Sequence, residues 1–284
     1  MLECLNGKSA LEILSISKDA AAAQNRLFLP TYGDRFLPLK PSKALQTGAF
    51  NPNISLLFGV NRDEGSLGAA RWLPTDEKLQ QQNKVALARS AIQSMLRFFF
   101  NVTDDDSERI VGHYTASLSD QSSTAEDVKL AIASVFADIN FVCPTILFAE
   151  HYHRSQPKSS SSSSTFYSYR LVQPVTFPPF CSGGHFPGVC HAVDLLYIFA
   201  MPNRLPAGFP YTDDHLKLSS DMLADWLSFA KWGKVANQSW KQAFEGNDKT
   251  KAVELASGRY QMISQFYLDS CNALWEEKLF SAGE

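Results

Sequence analysis

Charge of one sign is what this sequence most lacks. Across 284 residues, 26 Lys and Arg stand against 29 Asp and Glu, a formal net charge of −3. So balanced a chain offers no basic stripe to nucleic acid or to an anionic membrane, and neither partner is expected. Long hydrophobic runs are also missing. No uninterrupted apolar run approaches the roughly 18 residues of a membrane span, so no transmembrane segment is expected. The opening residues lack a basic start followed by a continuous apolar core, and no signal peptide is visible. Cysteine is sparse: Cys4, Cys143, Cys181, Cys190 and Cys271. No two have zinc-ribbon spacing, so no metal and no cofactor are expected. No period stands out, which excludes a repeat architecture.

What is present describes an ordinary globular chain, 45% hydrophobic and 19% charged, long enough for one large core or two modest ones. Three N-x-S/T sequons, at Asn53, Asn101 and Asn237, fall on expected loops. With the cysteines they point to a secretory history and an extracellular or lumenal location. An odd cysteine count leaves one thiol without a partner in this chain.

Along the chain, residues 1–24 read as helix and 26–38 as a loop punctuated by Pro30, Gly33 and Pro38. A short helix over 40–49 leads to Ile54–Asn61, ISLLFGVN, an apolar run with the length of a buried strand. Carboxylates follow at once in Arg62-Asp63-Glu64, where open α/β sheets place functional groups. Helices are expected over 75–100, 107–116, 123–137 and 139–154, with Ser123 and Glu126 as a capping box and Pro144 in a first turn. Residues 155–164 contain six consecutive serines, a flexible surface loop. A strand over 165–172, a helix over 214–233 stopped by Gly233, a strand over 258–263 and a helix over 265–279 complete the reading. This alternation suits an α/β layer fold.

The chemistry concentrates in Gly188–Phe199, GVCHAVDLLYIF. His191 follows a loop rich in Gly, Pro and Cys and precedes an apolar run, with Asp194 three residues on. A histidine so placed can move protons near neutral pH. Alone, it reads sooner as a packed histidine at a helix start.

FGVNRDEGS and GVCHAVDLLYIF resemble the acid-bearing and histidine-bearing segments of the type-B carboxylesterase/cholinesterase family of α/β-hydrolases. CLNGKSALEIL, LFLPTYGDRFLP, INFVCP, MLADWLSFAKWGKV and LDSCNALWEE resemble further family segments, in the family's order. The resemblance implies the C-terminal portion of an α/β-hydrolase fold, a truncated central sheet flanked by helices, with residues 1–284 forming a partial domain. It implies His191 as the general base and Glu64 as the carboxylate that orients it, with Asp194 supporting the pair from behind. It makes Phe28, Tyr32, Phe36 and Phe186 candidates to line a substrate pocket, with a core role as the alternative. It pairs Cys143 with Cys271 and leaves Cys4 for a partner upstream. Cys181 and Cys190 are left either bridged locally or as two buried thiols.

The family's nucleophile sits in a G-x-S-x-G elbow. Gly7-Lys8-Ser9-Ala10-Leu11 begins that pattern but has Leu11 at the second glycine, and no other segment fits. The resemblance therefore implies two members of a triad, no serine and no oxyanion hole. Such a chain is expected to be inactive alone and to meet an ester substrate only if the N-terminal half is supplied. The alternative is a cholinesterase-like binding or adhesion protein.

Overall fold

The computed structural model describes residues 2–24, 30–80, 83–156, 164–175, 181, 188–204, 211–244, 251–264 and 270–281. Two compact units are present, Met1–Ala44 and Leu45–Glu284.

The first unit holds α1 (Leu2–Asn6) and α2 (Ala10–Gln24). Ser9 opens α2: its hydroxyl accepts the Glu12 amide at 3.2 Å while Glu12 accepts the Ser9 amide at 2.8 Å. This reciprocal cap gives Ser9 a structural role. Leu11 and Ile16 of α2 are 78% and 65% exposed. In the loop that follows, Gly33 takes φ +94° and the Asp34 side chain accepts the amides of Phe36 and Leu37. A short helix, α3 (Pro41–Thr47), runs into the second unit and stops at Gly48, φ +68°.

The second unit is built on a four-stranded sheet in the order β1-β2-β3-β4. β1 (Leu56–Asn61) runs parallel to β2 (Phe166–Leu171), with Leu56 opposite Phe166 and Asn61 opposite Leu171. β2 runs parallel to β3 (Lys251–Ala256), and β3 pairs antiparallel with β4 (Arg259–Ser264) across a turn at Gly258, φ +65°. The crossover from β1 to β2 carries α4 (Gly65–Gly68), α5 (Asp76–Gln80), α6 (Lys84–Phe99), α7 (Asp104–Thr115), α8 (Ala125–Ala137) and α9 (Cys143–Arg154). Between β2 and β3 come α10 (Asp194–Ile198) and α11 (Asp213–Trp232), and the chain closes with α12 (Glu276–Ser281).

Strand alternation sorts the side chains onto two faces. Tyr167, Tyr169, Leu171, Val253 and Leu255 join one core with α10, α11 and Trp240. Val60 and Ala252 join the other, built from α6 to α9 and Trp275. The sheet is thus layered between helices, an α/β arrangement. Among the described residues β1 pairs only with β2, so its outer edge carries no strand.

Residues Ala125–Arg154 form one continuous helical run, interrupted by a π-helical turn at Asp138–Val142. Pro144 explains the turn. It has no N–H to give to Asn140, so the bonding shifts by one residue and the Cys143 amide donates to Asp138. This run qualifies the expectation about long apolar stretches. By length and composition it is apolar enough to cross a membrane, yet Val128, Ile132, Val135, Ile146 and Leu147 are wholly buried in the core. A second π-helical turn, Cys271–Trp275, is tied by the Cys143–Cys271 disulfide to the start of α9, directly after the first turn.

The sequence expectations shift at several elements, among them the helix expected over 75–100, which is broken into α5 and α6. β3 was not foreseen. The cap of α8 is Thr124 with Asp127, one residue beyond Ser123 and Glu126, because the Ser123 hydroxyl is engaged by the Ser119 amide at 2.9 Å. Most of the serine-rich segment 155–164 lies outside the described residues.

Candidate active site

The site forms where β1 ends. Asn61, its last residue, donates its backbone N–H to Oε1 of Glu64 at 2.7 Å. The turn Arg62-Asp63-Glu64 closes back on the strand in this way and holds the carboxylate at the strand's end. Gly65, at the start of α4, fixes the position: a Cβ there would lie 1.8 Å from the Ala133 carbonyl oxygen of α8.

His191 arrives from 127 residues away on the loop before α10. Several bonds tether that loop to the β1 turn. The Asp63 amide donates to the Val189 carbonyl at 3.0 Å, and the Val189 amide donates to Oδ2 of Asp63 at 2.8 Å. Nδ2 of Asn61 donates to the Cys190 carbonyl at 3.1 Å. A Cys181–Cys190 disulfide closes the loop upstream, which resolves the question of the two thiols. Ala192, next to His191, takes φ +68°, an uncommon backbone state for a residue with a Cβ, of the kind that recurs at functional sites.

These tethers bring Nδ1 of His191 to 2.7 Å from Oε2 of Glu64. An ionised carboxylate only accepts, so the shared hydrogen belongs on Nδ1 and Nε2 keeps its lone pair. The two partners differ in environment: the Glu64 side chain is 7% exposed and the His191 side chain 49%. The pair is therefore a buried carboxylate holding a half-exposed imidazole whose Nε2 has no hydrogen bond among the described residues. Phe141, in the π-helical turn, stacks on the imidazole at 4.2 Å between ring centres.

Burial pushes the Glu64 carboxyl up from the ordinary 4.5, and the Asn61 amide and His191 pull it back. Asp194 does not touch His191. Its Oδ2 accepts from the Tyr169 hydroxyl at 2.9 Å and its Oδ1 from Nδ2 of Asn61 at 3.2 Å. It sets Asn61, which in turn holds both Glu64 and the histidine loop. Tyr169, buried and beside Asp194, has its phenol pushed well above 10.

Asn61, Phe141 and Tyr169 escaped the sequence reading as site residues, whereas Asp63 was marked with Glu64 as a carboxylate at the strand's end. Asn61 and Phe141 lie inside quoted segments, but nothing in their local pattern marks them. Of the pocket candidates, Tyr32 and Phe36 are 55% and 95% exposed, while Phe28 and Phe186 lie outside the described residues. Asn53 and Asn101 are exposed, and Asn237 is half-buried, its amide donating to Asp225 at 2.8 Å. The Cys143–Cys271 disulfide is formed, and Cys4 is a free, exposed thiol.

The model of the carboxylesterase family matches residues 1–274. The chain belongs to this family. It is 26% identical over 210 residues to acetylcholinesterase-1 of Trittame loki, covering 73% of this chain and 34% of the relative. It is 28% identical over 222 residues to the bile salt-activated lipase of Rattus norvegicus, covering 72% and 31%. It is 30% identical over 245 residues to the inactive carboxylesterase-like protein VdtD of Byssochlamys spectabilis, covering 78% and 37%. The chain thus spans about a third of the length of the curated relatives it matches.

Proposed function

We propose that this chain supplies the general base and its orienting carboxylate to a serine carboxylic-ester hydrolase, and that the nucleophile and oxyanion hole come from a segment outside these 284 residues. The observation that carries the reading is the 2.7 Å contact between His191 Nδ1 and Glu64 Oε2, which leaves Nε2 with its lone pair. In the assembled enzyme His191 takes the proton of the serine hydroxyl as it attacks the ester carbonyl. It then returns that proton to the departing alcohol. Glu64 fixes the tautomer and offsets the charge of the imidazolium. Two disulfides and three sequons favour an oxidising, extracellular or lumenal compartment and a glycosylated product.

No G-x-S-x-G occurs in the sequence. Losing the nucleophile from such a unit costs about 10⁶ in turnover, and losing an oxyanion donor roughly 10²–10³. The chain alone is then an inactive partner. The non-catalytic binding reading gains some support from the inactive relative, but a binding module has no need of an oriented His191–Glu64 pair.

Hydrolysis of p-nitrophenyl acetate tests the proposal. The chain alone should show no turnover above background. Co-expression with a family segment bearing the serine elbow should give soluble, active enzyme that fails on His191→Ala. Ordinary esterase rates from the chain alone, or a co-expressed enzyme indifferent to His191→Ala, would overturn it.

A further inference from the structure

Among the described residues, two contacts hold the His191 side chain: the bond from Nδ1 to Glu64 at 2.7 Å, and the ring of Phe141, 4.2 Å away between centres and tilted by 28°. Their effects differ. A single hydrogen bond fixes one atom and leaves a half-exposed imidazole free to swing about the line from Nδ1 to Oε2. A ring against its face removes that freedom. The two contacts together set where Nε2 lies, and a displacement of about 1 Å in a reacting group is enough to cost most of its effect.

Phe141 is itself held. Phe136 flanks it at 6.3 Å between centres and packs in turn on Trp72 at 5.6 Å and Phe99 at 6.0 Å. Gly68 of α4 leaves room for the Phe136 ring, since a Cβ there would lie 2.1 Å from it. The backbone under Phe141 is the π-helical turn Asp138–Val142. Such a turn takes one residue more than an α-helical turn, so its side chains sit up to about 100° around the axis from their α-helical places. Pro144 imposes the turn, the Asn140 side chain donates to the Phe136 carbonyl across it at 2.9 Å, and the Cys143–Cys271 bridge fastens the residue that follows it. Turns of this kind recur at functional sites.

We propose that Phe141 is a positioning residue for His191, and that Pro144 brings it there by imposing the π-helical turn. The ring clamps one face of the imidazole and keeps Nδ1 on Glu64, so that Nε2 stays in one place. The consequence for catalysis rests on the reading of His191 as a general base. The clamp itself belongs to this chain and needs no ester to be seen.

Nuclear magnetic resonance of the full chain, with its histidines labelled, tests the clamp. In the wild type the ring protons of His191 should lie upfield, because a stacked phenyl shields them. Phe141→Leu keeps an apolar side chain and removes the ring. The upfield shift should vanish, and the population of His191 detached from Glu64, read by relaxation dispersion, should rise about two- to tenfold, the factor that the loss of one aromatic pair corresponds to. Phe141→Tyr should restore both readings. Pro144→Ala removes no ring but returns an N–H to the helix. The bonding to Asn140 should close, the Phe141 ring should swing away, and the His191 signals should match those of Phe141→Leu. A ring that only filled space would give no such match. Pro144→Ala also keeps the test alive if Phe141→Leu fails to fold. His191 signals unchanged in Phe141→Leu would overturn the clamp, and signals unchanged in Pro144→Ala would overturn the role of the proline. A co-expressed enzyme indifferent to His191→Ala would sink the esterase reading and leave these spectra as they are, so the two failures are distinct.

Discussion

Gly65 and Ala133 meet backbone to backbone: a Cβ on Gly65 would stand 1.8 Å from the Ala133 carbonyl oxygen. Gly65 directly follows Glu64, so the same approach that seats α4 on α8 sets the carboxylate. The obstacle is main chain of a buried helix, which cannot swing aside as a flexible side chain can. Gly65→Ala is expected to destabilise the second unit by about 1–3 kcal/mol or more, as overpacking does, and to displace Glu64 from His191. Urea unfolding midpoints check this. An unchanged midpoint would mean that α4 shifts freely and does not fix the site.

The Glu64–His191 contact makes a spectroscopic prediction. With Glu64 as acceptor, the neutral imidazole carries its hydrogen on Nδ1. Nitrogen chemical shifts of labelled His191 should report that tautomer in the wild type. In Glu64→Gln the amide can present either an N–H or a carbonyl to Nδ1, so a mixture of tautomers is expected. If the wild type already gives a mixture, the oriented pair does not exist in solution.

The legibility of this chain in its sequence was uneven, for physical reasons. β1 and β2 could be read because their apolar runs are short and bounded by turn residues, and α11 because Gly233 closes it at φ +66°. β3 could not. Its sequence, KAVELA, suits a helix turn as well as a strand, and only pairing with β2 and β4 makes it extended. The α8 cap slipped by one residue because Ser123 and Thr124 each precede an acidic residue by three positions, and only the Ser119 amide decides between them. Glu64 and His191 came from family resemblance, since no local spacing links residues 127 apart. Asn61 was hidden more deeply. Its role is to donate from backbone and side chain at once to Glu64, Cys190 and Asp194, and that exists only in the fold.

The two disulfides should differ in weight. Cys143–Cys271 spans 128 residues and Cys181–Cys190 spans 9. Loop-closure entropy then assigns about 5 kcal/mol to the first and about 2.5 kcal/mol to the second. Urea titrations of the two double Cys→Ala variants should show the larger loss when the 143–271 bridge is removed. The 181–190 variant should keep most of its stability and lose order at His191, visible as faster amide exchange at Val189 and His191. A larger stability loss from the short bridge would show that the histidine loop, not the π-helical turns, is the keystone of the second unit.

Asp138 sets a pH dependence with a definite sign. Its carboxyl rises from 3.8 to about 7 on folding because burial favours the neutral form. Between those values the folded state holds a proton that the unfolded state has lost. The group's contribution is therefore full below about 3.8 and is lost as pH rises through 7. The slope inside that window is about 1.4 kcal/mol per pH unit. Tyr114 does not titrate there, since burial and Asp138 push its phenol well above 10. Glu64 is also raised by burial, so the wild-type curve alone would mix two groups. The difference between wild type and Asp138→Asn isolates the one in question, because the amide cannot ionise. That difference, measured by urea unfolding from pH 4.5 to 7.5, should move steadily against the wild type as pH rises. Parallel curves would mean that Asp138 is already ionised in the folded state at the acid end, with a donor on Oδ1.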